Sequence, residues 1–175
     1  MSLPKTYIET CPFIDMAKEA VGALPADRTD DVWFCKQLLK AARAGEIELY
    51  TSSLTIAECQ HADGIADSKV QTLFKKLLTS GQYVILVQDS ILVAERARDL
   101  RWVHELRFKG ADAIHLASAA EMGCSELIST DGRYFDEPRK SDIQSKLGIS
   151  IIRAHKTANL PMHYRQADMY GPSQI

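Results

Sequence analysis

The sequence predicts an α/β sandwich built on a mainly parallel sheet, and three observations carry that expectation. Segments of strand character alternate with segments of helical periodicity along the chain, the pattern of repeated strand–helix–strand units. One strand segment, YVILV at 83–87, is apolar at every position, as expected of a strand covered on both faces by helices. The 175 residues, 46% of them hydrophobic, suffice for one domain with a sizeable core, and no Pro/Gly-rich linker divides them.

Each element follows from local signals. KTYIE at 5–9 is a short β-leaning run. Pro12 is placed to open a helix, and Phe13, Met16, Ala17, Ala20 and Val21 continue it until Gly22 and Pro25 stop it. Thr29 or Asp30 caps a second helix over 29–44, whose apolar face is Val32, Phe34, Cys35, Leu38, Leu39 and Ala42. Gly45 ends it, and IELYTS at 47–52 is a strand. Residues 53–58 lead into the next helical segment, and a longer helix spans 66–79 with Val70, Leu73, Phe74, Leu77 and Leu78 inward. After the 83–87 strand, Asp89 or Ser90 caps a helix running to about Arg101. A helix at 110–123 is followed by strand ELIS at 126–129, a polar loop, and strand ISII at 149–152. The final stretch, 155–175, has no clean period and reads either as an arm wrapping the domain or a partner, or as disorder.

The bulk numbers exclude several classes. A net charge of −2 does not suit a protein that binds nucleic acid through overall positive charge, so local basic patches and bound cations would have to supply such attraction. No apolar run approaches the roughly 18 residues needed to cross a bilayer. MSLPKTYIET has neither the basic start nor the apolar core of a secretory signal. Cys11, Cys35, Cys59 and Cys124 lie far apart with no C-x-x-C pair, which reads as reduced, buried thiols. The expected location is cytoplasmic.

Four acids stand at element ends. Asp112 lies in the first turn of the 110–123 helix, and Asp131 follows strand ELIS. Glu9 closes the first strand, and Glu58 sits beside the helical segment after 47–52. Taken singly, Asp112 also serves the helix macrodipole, Asp131 an Asp-Gly turn, and Glu58 the first turn of its own helix. Glu9 is different, because an acid ending a central, buried strand is costly without a partner. In parallel α/β sheets ligands bind at the carboxyl ends of strands, where Glu9 and Asp131 fall. Four acids aimed at one place need a cation, since like charges raise each other's pKa. Carboxylate oxygens with no nearby His or Cys set favour Mg²⁺ or Mn²⁺ over zinc.

The order TYIETCPFID, SSLTIAE, KGADAIHLASA and LISTDGRYF resembles a PIN domain, and within that family the nuclease toxins of toxin–antitoxin pairs. The resemblance covers about 4–155, leaving 156–175 as a C-terminal arm. It implies a PIN-like three-layer sandwich whose mainly parallel central sheet is flanked by helices. It also implies a ribonuclease that hydrolyses phosphodiester bonds with Mg²⁺ or Mn²⁺, an antitoxin partner and a homodimer. Glu9, Glu58, Asp112 and Asp131 match the family's catalytic, metal-binding acids. Glu9 departs from the usual Asp before Thr10, and its extra methylene moves the carboxylate by about 1.5 Å.

That departure supports an alternative, a catalytically impaired PIN-fold protein that binds RNA or acts as a scaffold. An aspartyl phosphatase is disfavoured, because E-T-C after the first strand supplies no D-x-D pair. Asp15 is expected to be a solvated residue of the first helix, and His115 a packed or hydrogen-bonded one rather than a general base. C-x-H at Cys59 and His61 is a weak metal signal, and His104, His155 and His163 have no evident partners. Arg96, Arg98, Arg101, Arg107 and Lys109, with Arg133, Arg139 and Lys140, are the candidates to attract RNA.

Overall fold

The computed structural model describes residues 2–166. Five parallel strands form one sheet in the order β3-β2-β1-β4-β5: β1 (Lys5–Ile8), β2 (Glu48–Ser52), β3 (Ile85–Val87), β4 (Glu126–Ile128) and β5 (Ser150–Ile152). Strand residues alternate between the two faces. Ile8, Leu49 and Ile128 point into one core, shared with α1 (Thr10–Ala20), α2 (Thr29–Arg43) and α4 (Ser68–Phe74). Tyr7, Tyr50, Leu127 and Ile151 point into the other, shared with α5 (Ile91–Trp102), α6 (Gly110–Glu121) and α7 (Arg139–Leu147). The result is the three-layer sandwich that the alternating pattern predicts.

Three elements differ from the sequence reading. The 83–87 strand is shorter and lies at a sheet edge. Tyr83 and Val84 are buried, but Ile85 and Leu86 are largely exposed, so its apolar composition does not reflect burial on both faces. The 66–79 helix is α4 followed by a π-helical turn, Lys75–Thr79, that keeps Leu77 and Leu78 inward. Residues 53–58 do not lead into a helix; they form one, α3 (Ser53–Glu58), and Glu58 is its last residue.

Residues 154–166 pack back on the domain in two short 3₁₀ turns. Leu160 is buried in the core on the α1 face. Asn159 donates to Lys5 O, Thr6 and Ser125, tying the segment to the amino ends of β1 and β4. Glu126, a buried acid in β4, accepts from the Thr157 hydroxyl and the Ala158 N–H. The remainder of the expected arm, 167–175, lies outside the described residues.

The strand order places a topological switch in the middle of the sheet. From β1 the chain steps outward to β2 and β3, then returns to lay β4 on the other side of β1. The chain leaves β1 into α1 on one face of the sheet and reaches α7 from β4 on the other. Connections that diverge in this way open a crevice at the carboxyl ends of the two strands, where ligands bind in open α/β sheets.

Candidate active site

The crevice between β1 and β4 is lined by acids from both sides. Glu9 follows β1 directly and caps α1, accepting the Cys11 N–H at Oε2 (3.0 Å) and the Ser129 hydroxyl at Oε1 (2.8 Å). It is only 4% exposed. Burial pushes its carboxyl above the ordinary range, although the Cys11 N–H pulls it down. No Lys or Arg pairs with it among the described residues. A buried carboxylate held only by neutral donors is the kind of group that a cation stabilises.

Asp131 follows β4 and caps the 3₁₀ turn Gly132–Tyr134 through the Arg133 N–H (2.9 Å). Its own N–H donates to Ser129 Oγ at 2.9 Å, so one serine hydroxyl joins Glu9 to Asp131. The Arg133 guanidinium bonds Oδ2 of Asp131 and holds that carboxyl below its ordinary pKa. The same guanidinium reaches Oδ2 of Asp112 at 3.4 Å. Asp112 stands in the first turn of α6, as expected, and the Tyr134 hydroxyl donates to its carbonyl at 3.2 Å, pinning the Asp131 turn against that helix.

Glu58 reaches the cleft from the end of α3. An acid at a helix C-terminus is opposed by the macrodipole, and here two side chains outweigh that. Thr10 donates its hydroxyl, and His115 Nε2 lies 2.9 Å away. The His115 bond is the main reason that the Glu58 carboxyl titrates below its ordinary value, with the Thr10 bond adding to it against partial burial. His115 is itself buried, with Nδ1 2.8 Å from the Tyr7 hydroxyl in β1. If the tyrosine donates to Nδ1, the ring proton sits on Nε2 and points at Glu58.

The structure thus gathers Glu9, Asp112 and Asp131 into one chain of polar contacts through Ser129 and Arg133. Glu58 lies beside it on Thr10, the residue next to Glu9. Among the described residues, no group of three His, Cys, Asp or Glu side chains is already close enough to form a metal cage. The donor chemistry nonetheless fits a hard divalent ion: the acids supply only oxygen, and the most buried of them has no cationic partner.

Asp15 corrects an expectation. It is buried, not solvated, and accepts from Thr130 at 2.8 Å and from Arg28 at 3.3 Å, tying α1 to the end of β4. His155 has a partner after all, Asp31 at 2.7 Å, and His163 lies 3.3 Å from Glu46. His61 accepts the Gly64 N–H in a local turn. Arg96 and Arg98 are engaged with Glu121 and Glu95, and Arg98 also stacks on Trp102. Arg107, Lys109, Arg139 and Lys140 form no ion pair among the described residues. Arg139 and Lys140 instead lie over the rings of Phe108 and Phe135. Sequence reading missed Ser129, Thr10 and the bridging role of Arg133, because none of these partnerships leaves a local signature.

Comparison with known proteins agrees with this architecture. The family model of the PIN domain matches residues 22–140, a span that holds Glu58, Asp112 and Asp131 but not Glu9. Among solved structures, the chain is similar to VapC20 of Mycobacterium tuberculosis, a sarcin-ricin loop cleaving toxin. The TM-score is 0.52 at 15% identity, over 74% of this chain and 92% of that one. It is also similar to VapBC2 of Rickettsia felis bound to a DNA fragment from its promoter. There the TM-score is 0.51 at 15% identity, over 83% and 98% of the respective chains. No curated protein matches the chain. At that identity the two structures speak for the fold, while the family model spans most of the chain: it belongs to the PIN domain family.

Proposed function

We propose that this chain is an endoribonuclease dependent on Mg²⁺ or Mn²⁺, and the toxin of a toxin–antitoxin pair. PIN domains are nuclease domains, and the observation that carries the reading is the acidic crevice at the β1/β4 switch. Glu9, Asp112 and Asp131 would hold the ion, with Glu58 as a further ligand directly or through water. Such an ion, when bound, activates water and polarises a phosphodiester.

The protein's own part is positioning. Ser129 fixes the Glu9 carboxylate, and the α6 start presents Asp112. Thr10 and His115 keep Glu58 ionised and aimed, ready to orient an attacking water. Arg107, Lys109, Arg139 and Lys140 lie on the segments that lead to Asp112 and away from Asp131, where they can take phosphates of the RNA backbone.

Purified protein should cleave RNA with Mn²⁺ or Mg²⁺ and stop on chelation. Asp112→Asn should lose activity by about 100-fold or more, since loss of outer-sphere partners alone commonly costs 10–100-fold. Metal-independent cleavage, or full activity in Asp112→Asn, would contradict the reading.

One observation favours the alternative of an impaired PIN-fold RNA-binding or scaffold protein. Both Glu9 oxygens are engaged locally, and Arg133 already neutralises Asp112 and Asp131. If the wild type neither binds Mn²⁺ nor cleaves, while Glu9→Asp gains both, that alternative holds. The antitoxin would be encoded by an adjacent reading frame. A homodimer would find an apolar face in Ile91 and Leu92 of α5, exposed by 81% and 57%. No helix among the described residues is long and apolar enough to cross a membrane, and we place the protein in the cytoplasm.

A further inference from the structure

Arg133 lies across two of the acids assigned to the ion. Its Nε is 2.8 Å from Oδ2 of Asp131, its Nη2 bonds the same oxygen, and its Nη1 is 3.4 Å from Oδ2 of Asp112. The backbone of Arg133 is fixed at both ends: its N–H donates to Asp131, and its carbonyl accepts from Arg139 at 2.6 Å. The side chain is not held in the same way. It is 51% exposed, and among the described residues only the two acids pair with it.

A Mg²⁺ or Mn²⁺ ion takes carboxylate oxygens at roughly 2.1 Å, so two acids sharing one ion bring their oxygens to about 3 Å from each other. A guanidinium lodged between them cannot stay. Once outside, a planar guanidinium is suited to grip a phosphate with two parallel hydrogen bonds.

We propose that Arg133 is a tethered counter-cation. It balances Asp112 and Asp131 while no divalent ion is bound, swings out as the ion enters, and then binds a phosphate of the nucleic acid. This rests on the reading of the crevice as a metal-dependent nuclease site. It makes ion and substrate mutually reinforcing, because each favours the outward position of the same side chain, and such coupling is reciprocal. Half-exposed ion pairs are individually weak, so an entering ion can displace the arginine, and the competition it exerts is modest.

The test is a calorimetric Mn²⁺ titration of the wild type, Arg133→Gln and Arg133→Lys. Each is measured alone and with a saturating single-stranded deoxyoligonucleotide, which lacks the 2′-hydroxyl. Arg133→Gln should bind Mn²⁺ about tenfold more tightly than the wild type, and Arg133→Lys should stay within about threefold of it. The oligonucleotide should tighten Mn²⁺ binding several-fold more in the wild type than in Arg133→Gln, where only direct contact between ion and phosphate is left to couple the two. Wild-type Mn²⁺ binding that Arg133→Gln leaves unchanged or weakens overturns the proposal and leaves the metal site standing. Coupling as large in Arg133→Gln as in the wild type overturns the assignment of the phosphate to Arg133. Absence of Mn²⁺ binding in all three proteins removes both the proposal and the reading beneath it.

Discussion

Glu9 shows how one methylene changes what an acid can touch. The longer side chain spans from the N–H of its own helix to the hydroxyl that ends the neighbouring strand. The arrangement has a thermodynamic consequence. The folded protein keeps the Glu9 proton to higher pH than the unfolded chain does. Its contribution to stability is therefore greatest below the ordinary carboxylate range and falls as pH rises toward the folded-state value. Glu58 and Asp131, whose carboxyls are lowered, have the opposite sense: their stabilisation is present above the ordinary range and is lost as pH falls through their folded values. Glu9→Gln keeps an acceptor for Cys11 and removes the charge. In chelator at pH 8 it should melt higher than the wild type by roughly 3 °C, the equivalent of about 1 kcal/mol in a chain of this length. The advantage should shrink toward pH 4. Thermal melts across that range read it directly, and a difference independent of pH would show that the carboxyl charge is not its source.

At the scale of elements, local pattern located most of the strands and helices but not their place in the assembly. The i, i+3, i+4 spacing over 66–79 reports an inward face and does not distinguish an α-turn from the π-turn at Lys75–Thr79. YVILV is apolar throughout, yet strand order is decided by tertiary pairing, and it fell at an edge. The four acids were legible because each sits beside a boundary that caps, glycines or periodicity mark. Their partners were not. Thr10 and Glu58 are 48 residues apart, His115 and Glu58 57, and Ser129 and Glu9 120. His115 is the clearest case, a buried link between the β1 tyrosine and the end of α3. His115→Leu should cost about 1–3 kcal/mol in urea unfolding, because it removes one buried partner of the Tyr7 hydroxyl and leaves Glu58 at a helix end with one donor fewer. His115→Gln, able to bond in both directions, should recover a large part of that loss. Equal losses in the two variants would mean that ring packing, not the hydrogen bonds, is what His115 provides.

For the whole molecule, the proposed ribonuclease reading requires a chain of net charge −2 to attract a polyanion to a cleft lined with acids. The distribution of charge offers a way out. Several other cations are spent on acids, as Arg96 on Glu121 and Arg153 on Asp31. Arg107, Lys109, Arg139 and Lys140, which bracket the cleft in sequence, form no ion pair among the described residues. Aromatic rings lie among them: Phe108 and Phe135 sit under Arg139 and Lys140 and are only half-buried. Cations interleaved with rings suit single-stranded RNA, whose backbone needs charge and whose unpaired bases stack. Each phosphate neutralised on a single strand contributes about −0.7 to the slope of log affinity against log salt. If these four residues engage while Arg133 stays on its two acids, the slope for a short RNA in chelator should approach about −3. Replacing Arg139 and Lys140 together by Gln should make it shallower by about 1.4. Anisotropy titrations at several salt concentrations measure both values. A wild-type slope near zero, or one that the double variant leaves unchanged, would move the RNA path away from this rim. The acids of the β1/β4 crevice would then need their substrate to arrive from another side.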